Sequence, residues 1–365
     1  MKVSQIIQFL ESIAPLSLQE SYDNAGLITG NPDWECSGLL CTLDSTEDVV
    51  EEAIAKGCNL VVAHHPIIFQ GIKKLNGKNY VERTIIKAIK SDIAIYAIHT
   101  NLDNIISGVN GRIADKLGLI NRKVLLPKEN SLKKLFTFVP TAQTATVLNA
   151  LFETGAGRIG NYSECSFSVN GLGTFKPGSA SKPFVGMLGE QHQENEDKIE
   201  IVFPSYLEQE LVASLRASHP YEEVAFDIIQ LVNRHPEQGA GLFGELPTPL
   251  SSEQFLALLK SAFQLPTIRH TKLDGEEINK VAICGGAGSF LISKALAVKA
   301  DAFVTADLKY HEFFDADSKL VLCDIGHFES EQFTIELLAD LLSQKFPTFA
   351  VLKSVIQTNP VYYYF

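Results

Sequence analysis

The sequence predicts an α/β domain split in two by an inserted α+β module. Three observations carry that prediction: the length, an alternation of strand-like and helix-like stretches at both ends, and a break in it midway. At 365 residues the chain exceeds the roughly 100–200 residues of a single domain. Apolar runs alternate with amphipathic ones over residues 1–125 and again over 238–365, the pattern of a largely parallel sheet covered by helices. Residues 126–237 instead read strand, helix, strand, strand, helix, strand, the order of a ferredoxin-like split βαβ.

In chain order, Val3, Ile6, Ile7 and Leu10 share one face of a first helix. "GLLCTLD" (38–44) reads as a strand, and "STEDVVEEAIAKG" (45–57) as a helix capped by Ser45 or Thr46 and stopped at Gly57. "NLVVAHH", a helix over 79–91, "IAIYAIHT" (93–100) and a helix ending near Gly118 continue the alternation. "LLPKENSLKK" is a linker-like stretch. The insert then offers strands at 135–140, 165–175, 198–203 and 224–232, with helices over 141–155 and 205–218. The first rhythm resumes with a helix (251–264), "KVAICGG" (280–286), a helix to about 300, "AFVTAD" (302–307), "LVLCDIGH" (320–327) and a long helix over 329–346.

Composition narrows the class. A net charge of −12 argues against a general nucleic-acid or anionic-membrane surface. No apolar run reaches the ~18 residues of a membrane span, and the start lacks a cleavable secretory pattern, so a soluble cytoplasmic protein is expected. The six cysteines form no CxxC pair and read as reduced and structural.

Polar residues gather where strands end, and in parallel α/β sheets ligands bind beyond the carboxyl ends of strands. "VVAHH" ends in His64 and His65, "IYAIHTNLD" in His99 and then Asp103, "FVTAD" in Asp307, and "LVLCDIGH" in His327. Imidazole and carboxylate together suit divalent ions such as Zn, Mn, Fe or Ni. Successive side chains of an extended chain point to opposite sides, so adjacent histidines can reach two neighbouring ions. His327 and Glu331 are four apart at a helix start and share a face. Two ions about 3.5–4 Å apart would activate water for hydrolysis.

Each pairing also has a plainer reading. His64 with His65 could be a hydrogen-bonded core pair, His327 with Glu331 a helix-start pair, and Asp103 a turn or helix cap. Asp307 with His311, like His99 near Asp103, could be a local hydrogen bond, a support for a ligand or an acid/base couple. "CGGAGS" (284–289) could cradle a phosphate or simply turn the chain from strand to helix.

Taken in order, "YDNAGLITG" (22–30), "LDST" (43–46), "AHHPIIF" (63–69), "HTNLD" (99–103), "GELPTPLS" (244–251), "TADLKYHE" (305–312) and "DIGHFESE" (324–331) resemble the Nif-three-like family, also called GTP cyclohydrolase 1 type 2 homologues. The insert's "GAGRIGNYSECSF" and "HPYEEVAFDI" resemble the PII/CutA-like module of longer bacterial members. Tyr22 stands where many members have Trp, and Ala306 where many have Gly; neither change removes a ligand.

The resemblance implies a two-part Nif-three-like domain interrupted by the PII/CutA-like one. It implies a dinuclear metal site on His64, His65, Asp103, His327 and Glu331, with His65 and Asp103 on one ion, His64 and His327 on the other, and Glu331 bridging. It also implies a toroidal homohexamer, a trimer of dimers, whose sites face an internal cavity. The expected activity is metal-dependent hydrolysis of a small molecule, a purine nucleotide or related heterocycle, with Asp307, His311 or His99 assisting proton transfer. The rival expectation is a metal-binding regulatory or scaffold protein whose insert senses a small molecule or docks a partner.

Overall fold

The structure is a computed structural model that describes every residue except 274, 276 and 365. The chain forms two compact units, Met1–Pro127 with Pro236–Phe365, and Lys128–His235. Each junction lies two residues from the position the sequence suggests.

The larger unit holds two mixed sheets. In the first, β2 (Leu39–Thr42), β3 (Leu60–Ala63) and β4 (Ala94–Ala97) run parallel, β1 (Gly26–Thr29) pairs antiparallel with β4, and the last strand, β15 (Val351–Lys353), pairs parallel with β2. In the second, β12 (Glu277–Ala287), β13 (Ala302–Ala306) and β14 (Val321–Asp324) are parallel. They are flanked by the antiparallel strands β5 (Ile120–Pro127), β10 (Gly239–Ser251) and β11 (Arg269–His270), in the order β11-β14-β13-β12-β10-β5.

Burial on both faces explains why these strands read as continuous apolar runs. Leu39, Cys41, Leu60 and Val62 from the first sheet share one core with Val281, Ile283, Val304 and Cys323 from the second. Helices α1 (Val3–Ile13), α5 (Val109–Leu117), α8 (Ser252–Phe263) and α11 (Thr334–Lys345) contribute to that core. On the other face of the first sheet, Leu40, Val61, Ala63 and Ile95 pack against α2 (Glu47–Ala55) and α3 (Tyr80–Lys90). Ala282, Phe303 and Leu322 pack against α9 (Ile292–Ala297) on the outer face of the second. Thr46 caps α2 by accepting from Val49 N–H, 3.3 Å, as its sequence suggests.

Three expectations need correction. Strand β5 runs into the linker the sequence predicts, and β10 forms where the sequence predicts no element; Pro247 and Pro249 fall inside a register break between Glu245 and Leu250, where a missing N–H breaks no ladder bond. The long helix expected over 329–346 is two helices, α10 (His327–Glu331) and α11. Side chains there take the carbonyls a continuous helix would use: Ser330 Oγ donates to His327 O at 2.8 Å and Gln332 Nε2 to Glu329 O at 3.1 Å.

The insert is an antiparallel sheet in the order β7-β8-β6-β9, from β6 (Leu132–Pro140), β7 (Ser166–Phe175), β8 (His192–Pro204) and β9 (Phe226–Gln230). Helices α6 (Thr144–Glu153) and α7 (Glu208–Ser218) supply Val147, Leu151, Leu211 and Leu215 to one core with Leu135, Ile199, Ile201 and Phe203. This is the split βαβ order. Among the described residues no helix is long and apolar enough to cross a membrane, and all six cysteines are unbridged.

Candidate metal centre

The histidine pair leaves β3 at its carboxyl end. His64 and His65 donate their backbone amides to the carbonyls of Thr42, 3.2 Å, and Leu43, 2.9 Å, at the tip of β2. His99 and Asp103 come from the turn after β4, where α4 (Thr100–Asp103) is a single turn. Asp307 follows β13, and His327 and Glu331 lie on α10 after β14. Strand ends of both sheets therefore converge on one cleft of about 1040 Å3 within the larger unit.

Within the cluster, His65 Nε2 lies 2.9 Å from Glu331 Oε2 and 3.4 Å from His327 Nε2, and His327 Nε2 is 3.1 Å from Glu331 Oε2. His64 Nε2 sits 3.7 Å from Asp103 Oδ1 and 3.9 Å from Glu331 Oε1. His64 Nδ1 donates to the Ile98 carbonyl at 2.8 Å, which leaves Nε2 as a bare lone pair. Both that nitrogen and Asp103 Oδ1 are buried without a hydrogen-bond partner, a costly state that a shared cation would relieve. Among the described residues two groups have ligand atoms close enough to hold a metal ion, His64 with His65 and His99, and His65 with His327 and Glu331. The nearest neighbours pair His64 with Asp103 and His65 with His327, the opposite partition to the one the resemblance implies.

Three imidazoles are aimed by carboxylates. Asp44 accepts from His65 Nδ1, Asp307 from His327 Nδ1 and Asp23 from His99 Nδ1, each at 2.7 Å. Such partners fix the tautomer and turn Nε2 toward a ligand. Thr358 in turn donates to Asp44 Oδ2 at 2.6 Å. Asp307 reaches His327 from a left-handed backbone, φ 57°, a strained geometry that recurs at functional sites.

The charges follow from these contacts. Burial pushes His64 down, and it is neutral. Burial opposes protonation of His65 and His327 too, but bonds to Asp44 and Glu331 raise the first to about 9, and bonds to Asp307 and Glu331 raise the second to about 11. Burial and then the charge of Glu331 push Asp103 well above the usual carboxylate range. Burial would raise Glu331 as well, yet the surrounding imidazoles hold it well below its ordinary value.

The predicted ligands His64, His65, Asp103, His327 and Glu331 meet in this cluster, and His99 and Asp307 border it. His311 does not join them. The spacing of Asp307 and His311 suggests one helix face, but Lys309 is extended and the 3-10 turn starts only at Tyr310. Asp307 therefore bonds His327, and the exposed His311 ring lies against Tyr310 and Phe314.

Sequence reasoning missed Asp44, Asp23 and the glycines of "CGGAGS" as parts of the site. Asp44 carried the right signal, because it too ends a strand; Asp23 lies in a loop with no periodicity. The glycine loop makes room for Glu331: a Cβ on Gly286, φ 61°, would lie 2.4 Å from Glu331 Oε1. Its amides are taken, Gly285 N–H by Asn110 Oδ1 at 3.0 Å and Gly286 N–H by Ser330 Oγ at 2.9 Å.

Compared with known proteins, residues 1–360 match the Duf34/NIF3 (NGG1p interacting factor 3) family. The chain belongs to that family. A Halalkalibacterium halodurans protein named GTP cyclohydrolase 1 type 2 homolog is 40% identical over 360 residues, 97% of each chain. A Bacillus subtilis protein of the same name is 38% identical, covering 89% of this chain and 87% of that one. The crystal structure of a Bacillus cereus protein related to NIF3 superposes with a TM-score of 0.87 at 35% identity, over 100% of this chain and 99% of the other. A Staphylococcus aureus structure follows at 0.78 and 31%, with the same coverage.

Proposed function

We propose that this NIF3-family protein is a dinuclear metal-dependent hydrolase. What supports the reading most is the facing pair of buried, unpartnered atoms, His64 Nε2 and Asp103 Oδ1, beside a second cluster built on the same Glu331. His64 and Asp103 would hold one ion, His65 and His327 the other, with one oxygen of Glu331 toward each. Zn, Mn, Fe and Ni all suit this donor set. Two divalent ions held there supply Lewis acidity and lower the pKa of water, the requirements of hydrolysis.

The chain's own groups do the rest. Asp44 and Asp307 keep Nε2 of His65 and His327 facing the centre. His99, aimed by Asp23, is the proton-transfer residue, and Asp307 is a positioning residue. The relatives' name, GTP cyclohydrolase 1 type 2 homolog, points to a purine nucleotide or related heterocycle as substrate. The insert, whose motifs resemble PII and CutA-like proteins, belongs in this reading to regulation or assembly, in a cytoplasmic homohexamer that light scattering would reveal.

The test is a hydrolysis screen of ion-loaded protein against nucleotides, nucleosides and phosphoesters. Activity that disappears in both His65→Ala and Glu331→Ala, with circular dichroism unchanged, supports the enzyme. Nucleotide binding without turnover, retained in Glu331→Ala, replaces it with the regulatory reading.

A further inference from the structure

The cleft around the metal centre carries a charge pattern that bears on its occupant. Among the described residues seven carboxylates line it, with Glu20, Asp324 and Glu329 outside the histidine cluster and its supports. Among the described lining residues Arg269 is the only Lys or Arg. Its charge is already paired: Nη1 donates to Asp324 Oδ2 at 2.9 Å, Nη2 to the Leu308 carbonyl at 3.0 Å, and the group stacks on Phe313 at 5.1 Å. The glycine loop that could have cradled a phosphate has its Gly285 and Gly286 amides bonded within the protein. Two divalent ions would offset only part of the lining charge and leave the cleft negative.

Aromatic rings stand open in the same cleft. Tyr22 is 68% exposed, Phe69 51% and Phe290 57%. Phe69 packs edge-on against His99, ring centroids 5.7 Å apart, and so stands beside the histidine cluster. Asn24 Nδ2 donates to the Ile68 carbonyl at 2.6 Å, tying the loop of Tyr22 to the loop of Phe69. Open rings beside a polar centre offer stacking area to a flat ligand at little entropic cost.

We infer that the cleft takes an uncharged or cationic planar heterocycle, with Tyr22 and Phe69 stacking on it, and discriminates against the phosphorylated form of the same compound. The inference rests on the dinuclear reading, which places the reacting end of the ring at the metals. Among the described lining residues a phosphate meets seven carboxylates and a single arginine already paired with Asp324, and the Gly285 and Gly286 amides that could cradle it are taken. Tyr22 and Phe69 are specificity residues here, because they touch the ring and leave the ions alone.

The experiment is titration calorimetry of ion-loaded protein with guanosine, adenosine and cytidine, and with their 5′-monophosphates. At least one nucleoside is expected to bind tenfold or more tightly than its monophosphate at low salt, with the gap narrowing as salt rises and screens the carboxylates. Tyr22→Ala and Phe69→Ala should each weaken that nucleoside at least fivefold, with ion content by elemental analysis unchanged. Equal or tighter binding of the monophosphate, which would place the phosphate on the metals, overturns the inference. So does parental affinity in both ring variants, or no nucleoside binding at all. Ring-dependent binding by a protein that takes up no ion would instead sink the dinuclear reading and leave the ring preference standing.

Discussion

Each unit contains a histidine-centred cluster, and the two end differently. In the insert, His219 Nε2 donates to the Phe138 carbonyl at 3.0 Å, its Nδ1 accepts from Tyr221 N–H at 3.1 Å, and Tyr221 Oη donates to Glu196 at 2.8 Å. Burial pushes His219 down, and the neutral ring satisfies both nitrogens. Among the described residues of the insert, no buried side-chain polar atom lacks a partner. At the strand ends of the larger unit, His64 Nε2 and Asp103 Oδ1 face each other with none. The same residue types close one structure and leave the other open to a cation; what separates them is whether every donor and acceptor already has a mate.

Removing a carboxylate should widen that contrast most. Glu331→Ala deletes the oxygens shared by both halves of the cluster, and ion affinity is expected to fall more than about 100-fold, beyond the usual loss for a supporting residue. Competition with a chromogenic chelator measures it. Retained affinity would break the comparison, because the open cluster would then be as self-contained as the insert's.

The supporting carboxylates come next. Asp44→Asn and Asp307→Asn should each cost about 10–100-fold in ion affinity with melting temperature little changed. Proton uptake gives an independent reading. With His65 at about 9 and His327 at about 11, both rings are protonated at neutral pH in ion-free protein. Ion binding must then expel protons, and affinity should rise with pH below those values. Calorimetry in buffers of different ionisation enthalpy counts the protons, and a buffer-independent enthalpy would contradict the assignment.

How much of this was legible in the sequence depended on where each signal sat. His64, His65 and His327 follow short apolar runs that admit one reading as buried strands, so the strand-end rule found them. Glu331 followed from helical spacing that α10 obeys, 3.1 Å from His327. His311 shows the limit of such spacing: four residues apart means one face only if the intervening backbone is helical, and the left-handed Asp307 and extended Lys309 interrupt it. Strand β10 was hidden by Pro247 and Pro249, whose place in a register break only the pairing shows, and β5 by Pro127, which closes the strand opposite Gly239. Which of these side chains lie nearest one another, His64 to Asp103 and His65 to His327, is three-dimensional and has no local trace.

The insert should respond in a different register. Tyr221→Phe deletes one hydrogen bond to the buried Glu196 and is expected to cost about 1–3 kcal/mol of stability, since it leaves a buried acceptor short of a donor. Ion affinity should not change. Smaller still is the acid limb. Asp197 accepts from Asn170, Thr144 and Thr141, which hold its carboxyl below the usual range against the opposing effect of burial. That contribution is complete above the ordinary carboxylate value of about 4 and is lost as pH falls through the lower folded value. Asp197→Asn should therefore flatten the acid side of the stability–pH curve, read by thermal melts in a pH series.

The most direct measurement of the central claim is the metal content of freshly purified protein and of His64→Ala and Glu331→Ala, by elemental analysis with a crystal structure collected at the metal edge. About two divalent ions per chain are expected, one by His64 and Asp103 and one by His65 and His327, with the first lost in His64→Ala and both in Glu331→Ala. Folded wild-type protein that neither carries nor takes up an ion at neutral pH would contradict it.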